Sequence, residues 1–423
     1  MLQLQVLRQD PDTVKKKLAK KFFANADLVD LVLSLDDQRK KAQLDFEKTQ
    51  SQVNSISKEI GQFMAAGKKE EAEAKKKEVT ALKSALQPIT EELTAAEKKL
   101  QEELVKLPNL PSDNVPEGRA AADNVIEREG GKKPVLPFGF VPHWDLIRKY
   151  DIVDFEKAAK ISGSGFALYK GKGARLQHAL IQYFLQFNVN AGYTEYLPPF
   201  LVNADSAYGT GQLPDKEGQM YHVEADELYL IPTSEVPVTN IYRDEILKEA
   251  DLPIKMTAFS ACFRREAGSF GKDVRGLNRV HQFDKVEIVQ LVNPEKSYEA
   301  LEEMVQHVEK LVQSLELPYR ILKLCGGDMG FASAFTYDFE VYSAAQEKWL
   351  EVSSVSNFET FQSNRMKIRY KDAGGKSQLV HTLNGSSLAL PRIMACILEN
   401  NQTGQEINIP KVLRDFTGFD TIS

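Results

Sequence analysis

A heptad repeat near the N-terminus constrains this chain more than any other feature. Leu28, Leu35, Ala42, Thr49, Ile56 and Phe63 recur every seven residues, and Val32, Arg39, Phe46, Val53 and Ile60 follow the same interval, offset by four. An apolar seam of this period fits a helix packed along its length against another helix. Gly61 and Gly67 bracket a break, after which Val79, Leu86, Leu93, Leu100 and Leu107 form a second seam, with Leu82, Ile89 and Ala96 on the companion positions. Two matched seams joined by a short Gly-containing turn predict an antiparallel helical hairpin, each arm reaching roughly 50 Å. Pro88 falls inside the second arm, where its missing donor and its ring predict a kink. The remaining faces are dense in Lys and Glu, and solvated i,i+4 pairing accounts for most of these charges. An arm too thin for a core of its own usually exists to reach something, and its lysines and arginines suit phosphates.

Around this hairpin the chain divides. Residues 1 to about 26 form a lead-in, with Asp10-Pro11-Asp12 opening a small helix. Residues 108–118, PNLPSDNVPEG, form a proline-rich linker between an N-terminal domain, 1–107 with its arm at about 28–106, and a second domain, 119–423. In the second domain, residues 174–191 predict an amphipathic helix capped by Gly192. YTEYLPPFLV follows as a strand whose Pro198-Pro199 confines it to an edge or an interface. Alternating segments near 228–232, 337–342, 348–353 and 379–383 predict strands, and helices are expected near 235–250, 296–315 and 387–400. This is an α+β pattern: an antiparallel sheet flanked by helices. There is no Walker A sequence or Rossmann fingerprint, and the Gly163–Gly165 and Gly171–Gly173 pairs read as turns.

Composition narrows the function. A net charge of −6 over 423 residues argues against a surface coated for nucleic acid, without excluding a local basic face. Cys262, Cys325 and Cys396 lie far apart, so no disulfide framework is expected, and the six histidines offer no zinc spacing. With no signal-peptide core and no run of transmembrane length, a cytoplasmic protein with no membrane partner is expected.

One stretch concentrates chemistry-bearing residues. In Phe259–Val289, Phe259, Ala261 and Phe263 alternate with Ser260, Cys262, Arg264 and Glu266, so the last two share a face at the end of a strand. A loop with Gly268, Gly271, Lys272, Asp273, Arg275, Gly276 and Arg279 follows. The chain returns as a strand from Val280, carrying Phe283, Lys285, Glu287 and Val289 at alternate positions. Such a hairpin suits a nucleotide with a carboxylate substrate beside it; an ordinary solvated hairpin explains it equally well. Elsewhere Thr233-Ser234-Glu235 and Asn384-Gly385-Ser386-Ser387 both read as helix N-caps, and Glu351-Val352-Ser353-Ser354 as a surface hairpin. Arg392 stands on the otherwise apolar LALPRIMACIL, where an unpartnered charge is costly.

Taken together these segments resemble the class II aminoacyl-tRNA synthetases, and among them the seryl-tRNA synthetase family. Gly192-Tyr193 through Pro199-Phe200-Leu201 is similar to the first class II signature, with its proline at a dimer interface. Phe263-Arg264-Arg265-Glu266 with Arg279–Phe283 is similar to the second, and Ser386 through Arg392 to the third. YGTGQLP (Tyr208–Pro214), TSE, FDKVE, EVSS and HTLNGSS resemble the seryl family's own motifs, and the hairpin resembles its coiled-coil arm.

The resemblance implies that Arg264 grips the α-phosphate of ATP and Glu266 the adenine or the amino group, while Val280 and Phe283 frame the adenine. Arg265, Val352 and Ser353 belong to the same ATP set, and Arg392 holds the γ-phosphate. Glu351 and Ser354 bind Mg²⁺, and Arg264, Glu351 and Arg392 are the implied catalytic residues. Thr233, Ser234, Glu235, Arg264, Glu287, Asn384 and Ser386 surround L-serine. The implied partners are tRNA(Ser), with tRNA(Sec) as a further candidate, and a second copy of the chain. No protein-bound zinc is expected, and the loop from Ala267 to Asn278 is expected to order over ATP or the tRNA acceptor end.

The chemistry agrees. Serine's carboxylate is ionised at neutral pH, with a pKa of about 3.5, and attacks phosphorus without a general base. The reaction then needs positioning and positive charge, which two arginines and a metal supply. A seryl-synthetase-like amino acid:carrier-protein ligase typically lacks the arm and uses a metal site, and a non-catalytic coiled-coil paralogue would be expected to have lost Arg264, Glu351 or Arg392.

Overall fold

The heptad seams fold as two long helices, α1 (Leu28–Ala65) and α2 (Lys69–Leu104). The computed structural model describes residues 1–215, 217–266 and 275–423. Leu28, Val32, Leu35, Ala42, Val53 and Ile56 of α1 are buried, as are Ala72, Val79, Leu93, Leu100 and Leu104 of α2. Farther along the arm this core thins to Val53, Ile56 and Val79, with Ile60 and Leu82 partly buried. The break differs from the expectation. Gly61 continues α1, and only Gly67 turns the chain, in the left-handed region at φ +72 that a side chain disfavours.

Pro88 lies within an unbroken α2. Pro88 and Ser84 are both exposed, so the carbonyl that loses its partner is accessible to water. Near the base of the hairpin Asp36 is fully buried. Arg8 bonds it directly, and Arg39 and Lys40 lie 3.1 and 3.3 Å away. Three cations offset the desolvation that a lone buried carboxylate would suffer.

The chain forms two compact units, Met1–Ala19 with Phe23–Pro108, and Lys20–Phe22 with Asn109–Ser423. The second is built on an eight-stranded sheet. Its strands in chain order are β1 (Val125–Gly130), β2 (Thr194–Tyr196), β3 (Ile254–Phe263), β4 (Gln282–Val292), β5 (Tyr319–Lys323), β6 (Phe335–Ser343), β7 (Lys348–Asn357) and β8 (His381–Ala389). Their spatial order is β1-β5-β6-β7-β8-β4-β3-β2. Every pairing is antiparallel except that of the edge strand β2, which runs parallel to β3. YTEYLPPFLV therefore does not form one strand: β2 ends at Tyr196 and the prolines follow it.

Helices α3 (His143–Lys149), α4 (Lys172–Asn190), α6 (Ser297–Ser314) and α8 (Leu390–Asn400) share one apolar core with the sheet. Val286, Ile288, Ile321, Phe339, Val355 and Leu383 are among the sheet's buried contributions. Two short helices, α5 (Glu235–Asn240) and α7 (Phe361–Met366), carry Glu235 and its partner Gln362. The helix expected over 235–250 stops at Asn240, whose side chain bonds back to the Val236 carbonyl and across to Ser206. Asp244 then takes φ +63 and donates its backbone N–H to Met366. The strand expected from Val280 begins at Gln282.

Candidate active site

Cross-strand register assembles the site. Ser260 pairs Lys285 and Ala258 pairs Glu287 across β3 and β4, while Glu287 pairs Ser386 across β4 and β8. Alternation then places the polar residues of these strands on the sheet face opposite Val286 and Ile288. The polar face of the hairpin is thus not solvated: Lys285 is 6% exposed and Glu287 2%. Here a cleft of about 740 Å³ opens, lined among others by Thr233, Glu235, Arg264, Phe283, Glu351 and Arg392.

One end gathers carboxylates. Lys285 Nζ lies 2.5 Å from Glu287 Oε2 and donates to Thr233 Oγ1 at 2.8 Å. The Ser386 hydroxyl donates to Glu287 at 3.4 Å. Glu235 accepts from Gln362 Nε2 at 2.6 Å; Gln362 also donates to the Thr210 carbonyl and accepts from the Thr382 hydroxyl. Burial, with the charge of Glu287 beside it, pushes the Glu235 carboxyl up to about 7.

Two guanidinium groups stand on other walls of the cleft. The Arg264 N–H donates to the His281 carbonyl, extending the ladder past β3, and its guanidinium lies 5.2 Å from the Phe283 ring centroid. Glu266 turns out of the strand at φ +51 and meets Arg279 at 2.7 Å, so it does not continue the Arg264 pleat. Arg392, at the start of α8, donates to the carbonyls of Asn278 (3.0 Å) and Glu351 (2.6 Å), with the Glu351 carboxylate 3.8 Å away. Asp338 faces Ser354 across β6 and β7. Its Oδ1 is buried without a partner, and burial with the nearby Glu351 charge raises its carboxyl well above the usual range.

Comparison with known proteins decides the family. Residues 1–111 match the seryl-tRNA synthetase N-terminal domain, and residues 221–401 match the class II tRNA synthetase core domain of the G, H, P, S and T enzymes. The serine–tRNA ligase of Salinibacter ruber is 49% identical, with 100% of this chain and 99% of that protein covered. This chain belongs to the seryl-tRNA synthetase family. Among solved structures, the seryl-tRNA synthetase of Pyrococcus horikoshii complexed with ATP matches at a TM-score of 0.90 and 35% identity, covering 100% of this chain and 99% of that one. The cytoplasmic serine–tRNA ligase of Naegleria fowleri in complex with AMP matches at 0.86 and 27% over the same shares.

Within this family fold, Thr233, Glu235, Arg264, Glu266, Val280, Phe283, Glu287, Glu351, Ser354, Asn384, Ser386 and Arg392 all line the cleft. Val352 and Ser353 border it too, although Val352 is 1% exposed in the core and the Ser353 hydroxyl donates to the Ser386 carbonyl. Ser234 and Arg265 are not among the lining residues. The Ser234 hydroxyl pairs with that of Ser260 and makes no cap bond, while Arg265 is exposed. Asn384–Ser387, which reads as an N-cap, lies inside β8; α8 begins only at Leu390. Of the loop, Gly268, Gly271, Lys272 and Asp273 fall outside the described residues.

Sequence reasoning missed three lining or supporting groups. Lys285 stood in plain view as an alternate-position strand charge. Gln362 and Asp338 gave no signal, because only the fold brings them to Glu235 and Ser354.

Proposed function

We propose that this chain activates L-serine with ATP to seryl-adenylate and then transfers serine to the 3′ end of tRNA(Ser), with tRNA(Sec) a second acceptor. The observation that carries this reading is one cleft with Glu235 and Glu287 at one end, Arg392 at the other and Arg264 among its walls. Glu235 takes the substrate ammonium and Glu287 its hydroxyl, while Arg264 draws serine's carboxylate and the α-phosphate together. The carboxylate oxygen attacks the α-phosphorus and pyrophosphate leaves, its charge met by Arg392. A 3′-terminal ribose hydroxyl then attacks the acyl carbon and releases AMP. Phe283, beneath the Arg264 guanidinium, offers the adenine a stacking surface. The ATP-bound Pyrococcus horikoshii relative supports ATP as the nucleotide.

A magnesium ion fits the residues present. Glu351, Ser354 and Asp338 are hard oxygen donors, and the partnerless Asp338 Oδ1 is a group that a cation would satisfy. Among the described residues no group of three or more His, Cys, Asp or Glu forms a metal cage, which leaves coordination to be completed by substrate phosphates and water. Bound there, Mg²⁺ would neutralise phosphate charge.

In this reading residues 1–107 form the tRNA-binding domain and its arm meets the nucleic-acid backbone by shape and charge. Residues 119–423 carry aminoacylation after the 108–118 linker. A homodimer accords with the edge strand β2 and the exposed Leu197 (80%) and Leu201 (41%) that flank Pro198-Pro199. Among the described residues no helix is long and apolar enough to cross a membrane, and a cytoplasmic setting suits the reaction.

Serine-dependent ATP–pyrophosphate exchange tests the activity. We expect exchange with serine, far less with threonine, and essentially none with alanine, which would leave Glu287 without the hydroxyl. Folded protein supplied with Mg²⁺ that shows no exchange refutes the reading.

A further inference from the structure

Behind the wall that carries Arg392 lies a chain of hydrogen bonds that the reaction does not itself use. It starts at Glu399 and returns to Arg392, seven residues earlier on α8 and so two turns away on nearly the same face. Glu399 is fully buried, and its Oε1 accepts from the His143 backbone N–H at 2.9 Å and meets His143 Nδ1 at 2.7 Å. The His143 ring is also fully buried, and its Nε2 receives the Leu277 backbone N–H at 2.9 Å. An N–H donor at Nε2 requires a lone pair there, which puts the ring proton on Nδ1, facing Glu399.

A second path leaves the same carboxylate. Gln346 Nε2 donates to Glu399 Oε1 at 2.9 Å and to Ser343 Oγ at 2.8 Å, while its Oε1 accepts from Asn278 Nδ2 at 2.8 Å. Ser343 bonds Glu399 through its hydroxyl. The next link reaches the cleft: the Asn278 carbonyl holds Arg392 Nε at 3.0 Å. Local sequence conforms to this clamp. Gly276 sits at φ +65 directly over the His143 ring, where a Cβ would collide, and Arg275 lies 4.7 Å from the ring centroid of Trp144, the neighbour of His143.

We propose that His143, oriented by Glu399, is a positioning residue that fixes Leu277 and Asn278 and thereby aims Arg392 at the polyphosphate of ATP. The inference rests on the adenylating reading above. Arg392 has two carbonyl acceptors and a long contact to Glu351, so its direction depends on where the Asn278 carbonyl stands. His143 does not line the cleft, whereas Leu277, Asn278 and Arg392 do. Its effect should therefore fall on ATP and not on serine, because none of the residues assigned to serine (Thr233, Ser234 and Glu235 at the start of α5, Arg264 after β3, Glu287 on β4, Asn384 and Ser386 on β8) bonds to this network.

The test uses the full chain with His143→Ala, His143→Gln and Gln346→Ala. ATP and serine are varied separately in the exchange assay, and ATP binding is measured by direct titration, which needs no turnover. His143→Ala and Gln346→Ala should raise the KM for ATP about tenfold and leave that for serine within about twofold. Glutamine at 143, which can donate to Glu399 and accept from Leu277, should recover much of the loss. In an Arg392→Ala background the His143→Ala effect should vanish, a coupling that a merely structural histidine would not show. If His143→Ala does not fold, the half-buried Gln346→Ala decides. Equal rises for both substrates, an unchanged ATP constant in a folded variant, or additivity with Arg392→Ala overturns the proposal. Wild-type protein that binds ATP but catalyses no exchange would strike the activity reading alone, and the titrations would still judge the clamp.

Discussion

Lys285 and Glu287 stand two residues apart on one strand, their charged groups 2.5 Å apart and almost closed to solvent at 6% and 2% exposure. The strand is irregular between them: the pairing with β8 shifts there. Lys285 also holds Thr233, so one ammonium organises two of the residues assigned to serine. Lys285→Met should leave Glu287 without its cation beside Glu235. Removing one partner of a buried pair costs about 3 kcal/mol where the pair borders a cleft. Denaturant unfolding should show that loss, and the KM for serine should rise more than about tenfold. Full stability together with normal serine affinity would refute the assignment.

Glu235 gives a pH prediction. Its carboxyl is raised from the ordinary 4.5 to about 7 by burial and by Glu287, so the empty protein binds a proton that the unfolded chain has already released in that window. Stability from this group is therefore greatest below about 4.5 and falls as pH rises through 7. Serine's ammonium favours the ionised carboxylate, so serine affinity should strengthen from pH 6 to about 7 and then level off. Titration calorimetry in buffers of different ionisation enthalpy should detect proton release on binding below pH 7. Glu235→Gln should bind serine weakly and abolish that release. An unchanged release in the variant would assign the proton elsewhere.

Arg264→Ala should slow adenylate formation by about two to three orders of magnitude, the effect of losing a charge aimed at the transferring phosphorus. Melting temperature should change little, since among the described residues the Arg264 side chain makes a 3.4 Å bond to the Pro232 carbonyl and a ring contact to Phe283. Single-turnover quench measures the step. A near-normal rate would remove Arg264 from the transition state.

The long helices were legible because a period of 3.5 has few other physical causes, and the antiparallel hairpin at Arg264 because alternation is local. Boundaries were harder. Asn384 and Ser386 are small polar residues ahead of an apolar helix, and only the flanking strands β4 and β7 make them strand residues. Buried charge was invisible for the same reason. Asp36 reads as a solvated helix residue until Arg8, far away in sequence, is folded against it. The reading of Thr233-Ser234-Glu235 as a cap is half right: α5 does begin at Glu235 and the Thr233 hydroxyl accepts its backbone N–H at 3.2 Å, but the Ser234 hydroxyl turns to Ser260 on another element.

Metal removal should stop activation. Chelation should abolish exchange, and Mg²⁺ should restore it. Asp338→Asn should weaken Mn²⁺ binding to the ATP-loaded protein, read by the paramagnetic resonance of free Mn²⁺, because the amide cannot replace an anionic donor. Identical Mn²⁺ affinity in the variant would exclude Asp338 from the site.

The arm allows the reaction to be divided. Beyond its base the hairpin's core is little more than Val53, Ile56 and Val79 with partial cover from Ile60 and Leu82, so the distal arm contributes little to the rest of the fold. Its base is different, because Asp36 is bound there by Arg8, Arg39 and Lys40 and has to be kept. Deleting residues 45–65 and 69–89 removes about three heptads from each helix, keeps the turn at Gly67, and preserves the register of Leu28, Leu35 and Ala42 with Leu93, Leu100 and Leu107. The shortened protein should retain serine-dependent exchange within about twofold, since no residue of the cleft is altered. Serylation of tRNA(Ser) should fall by about two orders of magnitude or more if, as proposed, the arm's contacts to the nucleic-acid backbone supply most of the affinity. Raising the salt concentration should reproduce part of that loss in the intact chain and have little further effect on the shortened one. Equal loss of exchange and serylation would show that the arm supports the catalytic unit itself and would overturn this division of labour.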